Sequence, residues 1–385
     1  MLIGILAGEA SGDRLGAGLM RQLRRDLPSA EFVGVGGELM LAEGLQPVAP
    51  MDVFAMNGFA EPVRLLPRLV RVLRRLLSCY KQDKPVAFIG VDFNVFNLLL
   101  ERILRRRGIP TAHYVSPSVY AWRAGRVRRI SRSAELLLCL YPFELPFYHQ
   151  EPISVVFVGH PLADEIDPLA GSPKQRAAAA RSLGIDSSAR CIAVLPGSRM
   201  SEVKLMLTGF LEACELLQNQ HSDSVFVVPC VSGAIEKYVI AVVSRHPDLQ
   251  LVTYRGDARR ALTACDGAIV KSGTGTLEAM LLRRPMVVSY RLGELSYQIV
   301  RRMLKSPFVA LPNILAGRAL VPELLQHEAT PEALAARLAQ ELENAADDEE
   351  YFGEFSRLHE SLRLDADARA AQAVLAWIEQ HRALD

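Results

Sequence analysis

MLIGILAGEASGDRLGAGLMRQL, residues 1–23, is the stretch whose reading decides the fold. Leu2–Ala7 is apolar at every position, not at alternate ones, as expected of a parallel strand covered on both faces. Gly8 and Gly12 bracket a tight turn. The apolar spacing after it predicts a helix over Leu15–Leu23, with Ser11 or Asp13 as its cap. The same strand, turn and helix recur along the chain. Strands are expected at Leu2–Ala7, Phe32–Val35, Val86–Val91, Ala112–Val115, Leu136–Leu140 and Val155–Val158. More are expected at Cys191–Leu195, Val225–Val228, Ala268–Val270 and Met286–Tyr290. Alternation of this kind points to an α/β protein with doubly wound parallel sheets. Composition shifts between Asp164 and Ser188, where Pro168, Gly171 and Pro173 interrupt the pattern. The expectation is two Rossmann-like halves, residues 1–170 and 186–345, facing each other across a cleft, followed by a helical tail, 346–385.

With 385 residues, half of them apolar and 23% charged, the chain has core material for two domains. A formal net charge of +1 gives no global field towards nucleic acid or membrane, so any such attraction must be local. The opening residues lack a cationic n-region and read as a strand, not a signal peptide. No apolar run reaches the ~20 residues of a membrane span. Six cysteines are scattered without a CxxC pair, which fits a reducing cytoplasm and neither a disulfide framework nor a zinc site.

Several turns fall where a doubly wound sheet presents its working groups, at the carboxyl ends of strands. GEASGD (Gly8–Asp13) can place a ligand at a helix start, or be a plain capped glycine turn. VGVGG (Val33–Gly37) can bring backbone close to a substrate, or simply turn. In FIGVDFNVFN (Phe88–Asn97), Asp92 can serve as a general base or as an N-cap, with Asn94 and Asn97 as polar contacts or further caps. HYVSPSVYAWR (His113–Arg123) mixes aromatics with arginine, suited to phosphate and sugar faces, while His113 takes a supporting part. LPGSRMSEVK (Leu195–Lys204) and KSGTGTLEA (Lys271–Ala279) both offer backbone amides to an anion. Arg199 adds a guanidinium fork, and Glu278 is placed to accept from a ribose diol. Two such loops in one half favour a nucleotide diphosphate site. Neither is a P-loop, and no DxD triplet lies near a strand end, so no cofactor or dedicated metal is expected.

PVRLLPRLVRVLRRLL (Pro62–Leu77) carries an apolar stripe through Leu66, Leu69, Val70, Leu73, Leu76 and Leu77. A basic stripe of Arg64, Arg68, Arg71 and Arg75 lies beside it, and no acid occurs from Val63 to Tyr80. Pro67 is expected in its first turn. Such a helix reads either as a membrane-surface element, with Leu66, Leu69, Val70, Leu73, Arg68 and Arg71 in contact, or as a core helix with a charged outer face.

Taken together, AGEASGD, HYVSPSVYAWR, FVGHPLAD (Phe157–Asp164), LPGSR, SGTGTLEA, PMVVSYR (Pro285–Arg291) and LPNILAGR (Leu311–Arg318) resemble the lipid-A-disaccharide synthase family. The likeness runs in order to AAQAVL (Ala370–Leu375). It implies a GT-B glycosyltransferase that moves 2,3-diacylglucosamine from UDP to the 6-hydroxyl of 2,3-diacylglucosamine 1-phosphate, with inversion, at the cytoplasmic face of the inner membrane of a lipopolysaccharide-bearing bacterium. By position, Asp92 resembles the catalytic aspartate, with His113 and Glu9 the other catalytic candidates. Ser198, Arg199, Ser272, Gly273, Thr274, Thr276, Glu278, Asn313 and Glu323 would hold the UDP donor. Gly8, Ser11, Gly36, Gly37 and Ser116 would border the acceptor. The family pattern GIDAPDFN appears here as GVDFNVFN, which puts Val95 at its second aspartate. A homodimer is compatible with this reading; a nucleic-acid partner is not expected.

Other readings remain: a UDP-N-acetylglucosamine 2-epimerase or another UDP-sugar enzyme, a non-catalytic nucleotide-binding protein on a membrane surface, or an RNA binder using Tyr120, Trp122 and the arginines. An epimerase has no need of an acyl-binding surface, so segment 62–77 speaks against it.

Overall fold

The computed structural model describes residues 1–54, 62–117, 125–293, 297–298, 306–347 and 349–383. Two compact units divide the chain: Met1–Asp164 with Leu362–Asp385, and Glu165–Ser361.

The first unit holds β1 (Leu2–Ala7), β2 (Glu31–Val35), β3 (Leu45–Pro47), β4 (Ala87–Val91), β5 (Thr111–Tyr114), β6 (Leu136–Cys139) and β7 (Ser154–Phe157). They form one parallel sheet in the order β3-β2-β1-β4-β5-β6-β7. Its first helices are α1 (Ala10–Asp26), α2 (Glu38–Ala42), α3 (Pro62–Gln82) and α4 (Asn94–Arg105). Successive residues of a strand face opposite ways, so a strand buried on both sides must be apolar throughout. Ile3, Ile5 and Ala7 of β1, with Ile89 and Val91 of β4, pack with Leu15, Leu19 and Leu23 of α1. Leu6, Val33, Val35 and Phe88 pack on the other side with Val72 and Leu76 of α3 and Phe96, Leu100 and Leu104 of α4.

The last helix, Ala366–Arg382, closes the first core. Its Val374, Trp377 and Ile378 join the cluster around α1. FVGHPLAD supplies the clasp: the His160 amide donates to Leu362 O at 2.9 Å. The Asp164 carboxylate accepts from the Asp365 and Ala366 amides at 2.9 and 2.7 Å. That carboxylate satisfies the opening amides of a helix whose own N-cap, Asp365, stands in the left-handed region and makes no side-chain cap.

In the second unit, β8 (Arg190–Leu195), β9 (Ser224–Cys230), β10 (Leu251–Arg255), β11 (Gly267–Lys271), β12 (Met286–Tyr290) and β13 (Glu323–Leu325) form a parallel sheet. Their order is β10-β9-β8-β11-β12-β13. Ile192, Val194, Phe226, Val228, Ile269 and Val287 pack with Phe210 of the helix Met200–Gln220 and with Leu334 and Leu338 of the helix Pro331–Asp347.

The ten expected strands are all present, within a residue or two of their expected ends. Three further strands were not anticipated: β3, β10 and β13. Each lies at an edge of its sheet, and each is short or polar at alternate positions. The helix anticipated at Leu15–Leu23 runs over Ala10–Asp26. Pro67 falls a turn deeper than expected, because α3 begins at Pro62. Deep in a helix, proline removes one backbone hydrogen bond. Among the described residues no helix is long and apolar enough to cross a membrane.

Trp377→Ala should destabilise the first unit by about 3–5 kcal/mol, the usual cost of removing a buried indole. Chemical denaturation followed by a probe in the first sheet measures it, and a loss under ~1 kcal/mol would show that the last helix is dispensable to that core.

Candidate active-site residues in each unit

In the first unit the carboxyl ends of β1, β4 and β5 converge. Asp92 and Phe93 both adopt left-handed conformations, with φ of 50° and 46°. Asn97, buried on α4, holds that turn: its Nδ2 donates to Leu6 O at 3.2 Å, Val91 O at 3.3 Å and Asp92 O at 2.8 Å. Anticipated as a contact or cap, Asn97 instead straps β1 to β4. The turn brings the Phe93 ring against Gly8, where a Cβ would collide with it.

The Asp92 carboxylate is partly exposed. Ser11 Oγ donates to its Oδ2, and Asn94 Nδ2 to its Oδ1, both at 3.4 Å. Behind it, His113 is fully buried, with Nδ1 2.6 Å from Glu101 Oε1 and Nε2 3.0 Å from Asn94 Oδ1. Burial pushes the Glu101 carboxyl up, while the charge and hydrogen bond of His113 pull it down. The turn residues Asp92, Ser11 and His113 are thus one connected group.

Neither Ser11 nor Asp13 caps α1: its N-cap is Glu9, whose side chain makes no capping bond. Asp13 turns instead to the glycine turn after β2, accepting from the Gly37, Leu39 and Met40 amides at 2.7, 3.1 and 3.1 Å. A buried carboxylate meeting three amides fixes the Gly36–Gly37 turn and starts α2.

Ser116, past the end of β5, shares a 2.8 Å hydrogen bond with the Tyr148 hydroxyl. Its neighbour Glu144 is buried. Desolvation pushes that carboxyl up to about 8, against hydrogen bonds from the Tyr141 and Leu140 backbone and from Ser116. Tyr120, Trp122 and Arg123 lie outside the described residues.

On α3, Val72, Leu76 and Tyr80 are buried and Leu69, Leu73 and Leu77 pack partly against the core. Leu66 and Val70 are 60% and 37% exposed, and Arg68, Arg71 and Arg75 are exposed. The helix therefore serves both readings: most of the apolar stripe is core, and its first turns carry the exposed leucine and valine. The Arg64 side chain lies outside the described residues.

In the second unit, Glu202 Oε2 accepts from the Ser198 and Arg199 amides at 3.2 and 3.3 Å. Its Oε1 meets Lys271 Nζ at 3.0 Å. The two loops picked from sequence are thus joined by an ion pair, and the amides of the first are already engaged by a carboxylate. Ser198 and Arg199 themselves are exposed. In the second loop, Ser272 Oγ donates to Val309 O at 2.8 Å, and Thr276 Oγ1 donates to Gly273 O at 2.8 Å and accepts from Leu311 N at 3.3 Å. The helix Thr274–Leu281 begins after Gly273, which has no side chain to cap it. Thr274 is exposed and Glu278 half-buried one turn on.

Asn313 and Glu323 are brought together at 2.8 Å. Glu323 also accepts from the Val309 and Ala310 amides at 2.8–3.1 Å, holding the turn that leads into the helix Leu311–Ala316. Asn313 Oδ1 accepts from the Leu320 and Val321 amides. Ser272, Thr276, Asn313 and Glu323 therefore build one interlocked set of loops beyond β11 and β12.

Comparison with known proteins agrees with this layout. Residues 3–375 match the model of a family described as lipid-A-disaccharide synthetase. The chain belongs to that family. It is 44% identical over 378 residues to the lipid-A-disaccharide synthase of Pseudomonas aeruginosa strain UCBPP-PA14, covering 98% of each chain. Over 380 residues it is 46% identical to that of Azotobacter vinelandii, with the same coverage. Among solved structures, the UDP-GlcNAc 2-epimerase of Neisseria meningitidis bound to UDP-GlcNAc superposes with a TM-score of 0.65 at 12% identity, covering 99% of this chain and 100% of that one. The calicheamicin glycosyltransferase CalG4 gives 0.60 at 14%, covering 98% of each. At such identities these two show the fold, two Rossmann-like units of the GT-B class, and nothing of substrate.

Glu101, Glu144, Glu202 and Lys271 are partners that sequence reading did not single out. Glu101 carries a legible signal, since an acid four residues after Asn97 lies on the buried face of α4. Glu202 sits at the third position of its helix, where a carboxylate caps the turn.

Because Glu144 holds its proton in the folded state up to about pH 8, the folded form binds more protons than the unfolded one between its ordinary 4.5 and that value. Its contribution to stability is present below pH 4.5 and lost as pH rises through 8, with a limiting slope of about 1.4 kcal/mol per pH unit. Glu144→Gln should flatten this part of the curve; melting temperatures taken from pH 5 to 9 that fall equally in both proteins would refute it.

Proposed function

We propose that the chain is a hexosyltransferase of lipid A biosynthesis, transferring 2,3-diacylglucosamine from UDP to the 6-hydroxyl of 2,3-diacylglucosamine 1-phosphate with inversion and release of UDP. Family membership over residues 3–375 carries this reading. The residue geometry supplies a mechanism for it.

Asp92 is the proposed base. Its carboxylate stands at the carboxyl end of β4, partly exposed, with long hydrogen bonds to Ser11 and Asn94 that leave lone pairs for an incoming hydroxyl. It takes the acceptor's 6-hydroxyl proton as that oxygen attacks the anomeric carbon, on the face opposite the leaving diphosphate. Gly8, Glu9, Ser11 and the Gly36–Gly37 turn border the acceptor, with Ser116 further along the same sheet edge.

The departing diphosphate needs charge stabilisation. Amides already bonded to Glu202 are poor candidates, because an anion would have to displace a carboxylate. The uncapped start of the helix Thr274–Leu281 suits it better, with the exposed Thr274 and the guanidinium of Arg199 as further donors. Ser272, Thr276, Asn313 and Glu323 set the shape of the donor loops, and Glu278 is the proposed ribose contact.

The first turns of α3 are the proposed membrane contact. Leu66 and Val70 face outward beside Arg68 and Arg71, so acylated substrates can be met at an anionic bilayer surface. A cytoplasmic enzyme peripheral to the inner membrane follows.

Purified protein given UDP-2,3-diacylglucosamine and 2,3-diacylglucosamine 1-phosphate in detergent should release UDP, and Asp92→Asn should lose about a hundredfold or more. Turnover undiminished in the variant would move the base elsewhere; a folded parent that binds UDP without turnover would remove the transferase reading. Leu66→Glu with Val70→Glu should weaken co-sedimentation with vesicles containing anionic lipid while leaving the melting temperature unchanged. Equal co-sedimentation by both proteins would locate the membrane contact outside α3.

A further inference from the structure

We infer that Asn94, oriented from behind by the buried His113–Glu101 pair, is the positioning residue that aims the Asp92 carboxylate. The inference rests on Asp92 being the base and adds to that reading a residue of this chain's own. In the family pattern GIDAPDFN, Asn94 stands at the proline.

The hydrogen-bond directions leave one consistent arrangement. Asn94 Oδ1 can only accept, so His113 Nε2 must carry a proton and donate across the 3.0 Å contact. The opposite amide orientation would turn Oδ1 towards the Asp92 carboxylate, setting two acceptors against each other. With Nε2 protonated, His113 Nδ1 and Glu101 Oε1, 2.6 Å apart, share one further proton. Wherever that proton sits, the pair is net neutral, either imidazolium with carboxylate or imidazole with carboxyl. A net-neutral pair suits a site with no exposure to water, where a lone charge is costly.

The pair is locked in place by its surroundings. Gly90 on β4 leaves the room that the Glu101 carboxyl occupies, since any Cβ there would overlap Oε1. His113 lies on β5, paired with Gly90 across the ladder. A rigid imidazole therefore fixes the Asn94 amide, and its Nδ2 points at Asp92 Oδ1. That bond is long at 3.4 Å, as catalytic hydrogen bonds often are before substrate binds. One directed donor restricts the carboxylate's rotation.

The test compares the parent, Asn94→Ala, Asn94→Ser and Asp92→Asn, measuring kcat from UDP release at saturating substrates, KM for both sugars, and melting temperatures. Asn94 is half-buried at the first turn of α4, so both substitutions are expected to fold. The expected result for Asn94→Ala is a fall in kcat of about tenfold with KM within twofold, and Asn94→Ser, whose hydroxyl can still donate, is expected to recover part of that loss. A fall in kcat equal in both variants, or one that tracks a lowered melting temperature, would make Asn94 merely structural and overturn the inference. So would parental kcat in Asn94→Ala while Asp92→Asn is dead, an outcome that leaves the base intact. Turnover by Asp92→Asn overturns the base and the inference together.

Discussion

One buried amide, Asn97 Nδ2, bonds three backbone oxygens at the carboxyl end of the first sheet, on Leu6, Val91 and Asp92. The chain leaving β4 there passes through two consecutive left-handed residues, neither of them glycine. Each such residue costs about 1–2 kcal/mol, so the turn persists only where its surroundings enforce it. The strap does so from inside the helix that the turn begins. It sets where Asp92 emerges, where Phe93 lodges against Gly8, and how Asn94 can meet His113.

A second device recurs at the strand ends. A carboxylate reaches amides at or just before the start of a helix: Asp13 at α2, Glu202 at Met200–Gln220, Glu323 at Leu311–Ala316 and Asp164 at Ala366–Arg382. Each satisfies donors that would otherwise need water. The same carboxylates also define which helix starts are occupied. Glycine at position 273 leaves its helix start without a capping side chain, and that contrast separates two loops that look equivalent as sequence.

The core strands were legible because burial on both faces forces unbroken apolar runs, as in Leu2–Ala7 and Met286–Tyr290. β3, β10 and β13 escaped because LQP, LVTYR and ELL carry no such run. Much of the candidate site was legible too: Asp92, His113, Ser11 and the glycine turns stand at strand ends where parallel sheets put ligands. Their partners were not. Asp13 looks like a local cap, yet bonds amides 24 to 27 residues away, and Asn97 looks like a cap but straps two strands. Local spacing cannot reveal an acceptor supplied by another turn. The likeness to a family carried the chemistry, while the residues alone left a base and an N-cap as alternatives for Asp92.

The return of the last helix to the first unit bears on how the protein is made. A ribosome releases β1 to β7 early, but the indole and aliphatic groups that close their core are translated only after the second unit. Between them comes the whole of Glu165–Ser361, about 200 residues, which takes roughly 10–40 s at bacterial elongation rates of ~5–20 residues per second. For that interval the nascent first sheet carries an open apolar face beside α1, while the second unit emerges with every strand and helix it needs. The half that is synthesised first is thus the half completed last, and it is the one that would call on a chaperone.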